Sequence, residues 1–193
     1  MTLQLMIGIS RLLEYIRELN ARGLLAGKGN MGALQMSKSD PEVASSDLES
    51  LEDEIGHTLP ESFKAFYLTH NGGVADRDWW DSGDEYEPIR VKKFKAVAAS
   101  GALDAAETKY LNGCFAVMVS KKVIPNTLLP FATDDGGNFF CLDLTDGNVC
   151  FYATDSFEAD SSYTANHAKA YRWLASSFAA FVDGLKDESE IDL

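Results

Sequence analysis

The chain predicts one α+β domain with an antiparallel sheet, on three observations. Apolar residues recur at helical spacing near both ends, four short apolar runs of strand length lie between them, and an Asp-Gly turn joins the last two runs. A length of 193 residues suits a single domain, and 46% hydrophobic content is enough for a buried core without disulfide staples.

Met6, Ile9, Leu12, Leu13, Ile16 and Leu19 predict an amphipathic helix over residues 3–22. Residues 23–46 lose that period and are rich in glycine, so residues 1–45 are read as a helix plus a flexible link. The compact pattern starts at Ser46 and Asp47, helix caps ahead of Leu48, Leu51 and Ile55, with Gly56 as the stop. Pro60 opens the next helix, whose apolar face is Phe63, Phe66 and Tyr67; Asn71-Gly72-Gly73 supplies a left-handed ending. A strand is expected at 89–91 and a short helix at 102–110, then strands at 115–119, 128–132, 139–144 and 149–152.

Pairing Thr145 with Asn148 across the Asp146-Gly147 turn sets Leu144 against Val149 and Leu142 against Phe151. Phe140, Leu142, Leu144, Val149 and Phe151 then share one face. Phe139, Cys141, Asp143, Cys150 and Tyr152 share the other, with Cys141 and Cys150 diagonal and therefore free thiols. Tyr171, Leu174, Phe178, Phe181, Val182 and Leu185 predict a closing helix over 165–185, followed by an acidic tail at 186–193.

Charge narrows the partners. Thirty acidic residues against 17 basic ones give a net charge of -13, and residues 1–40 are slightly basic, so the acidity belongs to the main domain. Such a field repels phosphate, which argues against direct nucleic-acid or anionic-membrane binding and favours a basic protein. Three cysteines without CxxC spacing, and an apolar start lacking a basic leader, place the chain in the reducing cytoplasm with no membrane span.

Chemistry-bearing patterns are sparse. His57, His70 and His167 have no catalytic or metal spacing with other side chains. In Thr133-Asp134-Asp135-Gly136-Gly137-Asn138, the acids and the amide favour a turn, and the calcium-loop pattern is absent. A metal-dependent hydrolase centred on Asp134, Asp135, Asn138 and Asp143 is the weaker alternative. No cofactor is implied. The stronger candidate is the loop from Asp76 to Glu87, where Trp79, Trp80, Asp81, Asp84, Glu85 and Tyr86 combine aromatic anchors with carboxylates that steer a basic partner. Against this stands a core-capping role for the tryptophans. Asp134 and Asp135 form a second candidate patch.

Two segments carry a resemblance. Glu52, Gly56, Leu59 and Pro60, followed by Asn71-Gly72-Gly73, resemble the opening of the SMI1/KNR4 domain of the SUKH superfamily, written E-x-x-x-G-x-x-L-P and then N-G-G. Leu129-Pro130-Phe131-Ala132, Asp134 to Asn138 and Phe140 to Asp143 are similar to its central strand and glycine turn, and Phe178 to Val182 to its closing F-x-x-F-L helix. The resemblance covers about residues 46–185. It implies a curved, mostly antiparallel sheet flanked by helices, and no catalysis. Many bacterial members bind and neutralise a cognate protein toxin, frequently a nuclease, whose basic site would suit an acidic inhibitor; fungal members regulate cell-wall synthesis. An immunity protein is therefore the leading expectation, and an intracellular regulatory or scaffold protein the alternative. The extension at 1–45 reads as an added packing element or a dimerisation segment, which leaves a homodimer open.

Overall fold

The computed structural model describes residues 34–83 and 85–191. By contacts the chain divides into Met1–Ala33 and Leu34–Leu193. The expected helix at 3–22 lies outside the described residues.

The described chain runs β1 (Met36–Ser37), α1 (Ser45–Ile55), α2 (Glu61–Thr69), β2 (Val74–Ala75), β3 (Trp79–Trp80), β4 (Ile89–Arg90), β5 (Lys93–Phe94), α3 (Leu111–Ser120), β6 (Leu128–Thr133), β7 (Phe139–Asp143), β8 (Val149–Tyr152), α4 (Tyr163–Ala170), β9 (Tyr171–Ala175) and α5 (Phe178–Asp183). The main sheet is antiparallel with order β5-β6-β7-β8-β9, and β1-β2 and β3-β4 form two-stranded sheets. The fold is thus α+β, as expected.

Period-two alternation decides the layers. Phe140, Leu142 and Val149 face a core shared with Phe63 and Tyr67 of α2 and with Phe178 and Phe181 of α5. Phe139, Cys141, Cys150 and Tyr152 face a second core with Cys114 of α3 and Ile124. The central strands are therefore buried on both faces, and their apolar runs reflect it. Phe63–Phe178 and Phe131–Phe178 meet edge-on at 4.8 and 5.2 Å, and Phe131–Phe181 at 5.5 Å. Each such pair contributes about 0.5–1.5 kcal/mol beyond its buried area.

The motif residues have structural work. Glu52 accepts the Leu59 N–H at 2.6 Å, satisfying the last donor before Pro60. Gly56 ends α1 at φ +72°. Asn71 is buried; its Nδ2 donates to the carbonyls of Pro41 and Val97, and its Oδ1 accepts the Val97 N–H at 2.7 Å. Leu34 and Val43 are buried and β1 pairs β2, so residues 34–44, expected as flexible link, lie against the domain.

Several expectations are corrected. Asp47 sits in the first turn of α1, one turn inside the Ala44 cap, and its carboxylate accepts the Ala44 N–H at 2.7 Å. α2 ends at His70 in an extended conformation. Gly72 (φ +68°) and Gly73 (φ +111°) instead permit close backbone packing: a Cβ would stand 2.9 Å from Ala96 N and 2.4 Å from Ser37 O respectively. Residues 115–119 belong to helix α3, because Leu111, Cys114, Phe115 and Met118 recur at helical spacing, which outweighs the β-branched valines. Residues 102–110 form turns and no helix.

The β7–β8 register is Leu142↔Val149, Cys141↔Cys150 and Phe140↔Phe151, two positions from the expected pairing. Gly147, at φ +78°, donates its N–H to the Asp143 carbonyl at 2.8 Å, making a wider turn. An even slip preserves the faces. Cys141 and Cys150 are therefore directly opposed, though free.

The closing helix is interrupted. Ser162 caps α4 by accepting the Ala165 N–H, and Ser177 caps α5 by accepting the Ala180 N–H. Between them Tyr171–Ala175 pairs with β8. Ladder hydrogen bonds on an otherwise open strand outweigh a helical spacing of apolar residues.

Candidate functional site

The loop after β2 divides its aromatic residues between core and surface. Trp80 is buried and stacks on Phe181 at 5.0 Å between ring centroids. Trp79 is half-buried, and its backbone exchanges hydrogen bonds with Lys186 at 3.1 and 2.8 Å. Tyr86 is 56% exposed and Glu85 is exposed. Asp84 lies outside the described residues.

Asp81 holds the loop to the end of the chain. Its carboxylate receives Lys186 Nζ at 2.7 Å and the Gly83 N–H at 2.9 Å. The Lys186 ammonium, then the Gly83 hydrogen bond, keeps this carboxyl below the usual aspartate range. From β9, Arg172 donates to Ser82 Oγ at 2.7 Å and lays its guanidinium 4.2 Å from the Tyr86 ring centroid. Next to it Trp173 is 54% exposed. Tyr86, Phe151, Lys169, Arg172 and Trp173 line an open groove of about 450 Å³.

Asp135 belongs to a set of surface ion pairs. It is exposed and lies 3.7 Å from Arg90 and 3.6 Å from Lys92, and Arg90 bonds Asp78 at 2.8 Å. Arg90 is the register partner of Trp79. Asp135 is thereby linked through Arg90 to the acidic loop. Asp134 faces inward on its own turn, where its two oxygens accept the N–H and the amide of Asn138 at 2.7 and 3.1 Å. Buried Asn138 also donates to Asp155 and accepts from Thr154, so this cluster fixes the glycine turn.

The four oxygen donors of the hydrolase alternative do not converge. Asn138 precedes β7 and Asp143 ends it, about 17 Å apart at ~3.4 Å per residue. Asp143 accepts instead from Thr145 N–H and Oγ at 3.0 and 2.6 Å. Among the described residues no group of three or more His, Cys, Asp or Glu side chains could hold a metal ion.

Sequence reasoning missed Arg172 and Trp173 because it placed both inside the closing helix. A signal was present: Trp173 falls off the Leu174, Phe178, Phe181 stripe, and so would have been exposed on a helix as well. Lys186 falls in the expected acidic tail, yet it pairs with Trp79 and Asp81. Among the described residues, no helix is long and apolar enough to cross a membrane.

A five-stranded antiparallel sheet with helices on both faces defines an α+β scaffold, with Tyr86, Arg172 and Trp173 at its β9 edge. The model of the SMI1 / KNR4 family (SUKH-1) matches residues 42–184, and the chain belongs to that family. It is also similar to the SPbeta prophage-derived uncharacterized protein YokK of Bacillus subtilis (strain 168), 26% identical over 152 residues that span 73% of each chain. Family membership suggests a protein-binding role.

Proposed function

We propose that this chain is an immunity-type protein that binds a cognate protein toxin and neutralises it in the cytoplasm by direct contact. The observation that carries the reading is the pair of half-exposed rings, Tyr86 and Trp173, set beside Arg172 at the rim of an acidic domain. Large rings held on a rigid support are the usual anchors of an interface. A net charge of -13 favours encounter with a basic protein, and a nuclease, whose substrate is polyanionic, is the toxin class that such a field fits. Nothing in this action requires a bond to be made or broken.

Calorimetric titration against candidate toxin domains, any encoded beside its gene included, tests the proposal. A complex should form and Tyr86→Ala should weaken it by about 2 kcal/mol or more, with the circular dichroism spectrum unchanged. Equal affinity of the variant would exclude the aromatic rim from the interface.

A further inference from the structure

The two ends of the main sheet are not equivalent. Beyond β5, Gly73 exchanges backbone hydrogen bonds with Phe94 at 3.1 and 2.8 Å, so β2 and its approach cover that end. Beyond β9, no strand is paired among the described residues. The usual defences of an edge are thin here: Tyr171–Ala175 contains neither proline nor lysine, and its one charge, Arg172, is turned onto Ser82 and the Tyr86 ring. A register shift at Leu174 limits the regular run to Tyr171, Arg172 and Trp173. Alongside this run lies the groove of about 450 Å³ whose floor includes Phe151 and whose rim includes Tyr86 and Trp173.

We propose that the protein partner docks by adding one of its own extended segments, flanked by basic residues, to the outer side of β9. This rests on the protein-binding reading and names its mode. A row of alternating N–H and C=O groups is matched at every position only by another extended backbone, and the groove beside it receives alternate side chains. Charge selects the occupant. A second copy would bring its own net charge of -13, whereas a basic segment is drawn to the acidic domain. The two cations lining the groove are already engaged, Lys169 by Glu158 and Arg172 by Ser82 and the Tyr86 ring, and Glu85 and Glu87 on either side of Tyr86 are exposed.

The experiment uses the full chain, isotope-labelled, titrated with a short synthetic peptide that alternates valine and lysine. The amide resonances of Tyr171 and Trp173, whose N–H groups point away from β8, should shift and that of Trp173 should become protected from exchange, whereas Arg172 already bonds across to Phe151. N-methylation of alternate peptide amides should weaken binding roughly tenfold. Trp173→Lys, checked for an unchanged circular dichroism spectrum, should weaken it comparably. Absence of binding, shifts centred elsewhere, or equal binding of the methylated peptide would overturn the proposal. So would self-association of the peptide-free chain through the same amides, which would give the edge to a second copy. A toxin that binds the chain without moving these amides would overturn the strand-addition mode and leave the proposed function standing.

Discussion

Asp81 and Tyr86 lie in one loop, and their surroundings give them different roles. Asp81 is anchored by Lys186, so Asp81→Ala should cost about 0.5–1 kcal/mol of stability in denaturant unfolding, since the pair is partly exposed. Tyr86 is half-exposed, with one face against Arg172, and Tyr86→Ala should change stability by less than about 1 kcal/mol while weakening the complex. Asp47 is a third case. Its carboxylate is buried, and it accepts the Ala44 N–H, the Ser100 N–H and the Ser100 hydroxyl at 2.7, 2.7 and 2.6 Å. The Ser100 hydroxyl above all, with the two backbone donors, holds its pKa below the ordinary value. A depressed carboxyl pKa contributes stability that is fully present above the unfolded value of about 3.9 and is lost as pH falls through the lower folded value. Asp47→Asn should lower stability at neutral pH by about 1–3 kcal/mol and flatten the acid limb of the unfolding curve. An unchanged acid limb would contradict the assignment.

At the scale of elements, the β7–β8 hairpin makes the sharpest chemical prediction. Cys141 and Cys150 face each other fully buried, and burial pushes the Cys141 thiol well above its usual pKa and raises that of Cys114 on α3. A thiol-specific reagent should therefore modify the three cysteines only as fast as the protein unfolds; rapid labelling of the folded chain would contradict this packing. The two faces of this hairpin were legible in the sequence because alternation survives an even slip. The register was not, because the Asp146-Gly147 signal fixes a turn without fixing its width. Strand β9 was illegible for another reason. Tyr171 to Ala175 reads locally as helix, and only the unpaired side of β8, made by residues about twenty positions earlier, gives it a ladder. The paired glycines were found, but their cause, the close passage of Ser37 and Ala96, lies in segments distant in sequence. Gly73→Ala should destabilise the domain by about 2–4 kcal/mol, as left-handed backbone and steric overlap combine.

For the whole molecule, family and fold class could be read from ordered motifs, and those motifs prove to be scaffold. Glu52, Asn71 and Asn138 satisfy backbone or turn groups, so the residues that identify the family are not those available to a partner. The proposed binding surface is assembled from the loop after β3 and from β9, with Lys186 holding the loop, three regions that the sequence keeps apart. A net charge of -13 adds a long-range component: association with a basic toxin should slow as salt rises, while dissociation changes less. Survival of cells that co-express the chain with a toxin it binds tests the proposed neutralisation most directly. The wild-type chain should protect, and a Tyr86→Ala, Trp173→Ala double variant of equal abundance and unchanged thermal midpoint should not. Full protection by that double variant would contradict a role for the aromatic rim.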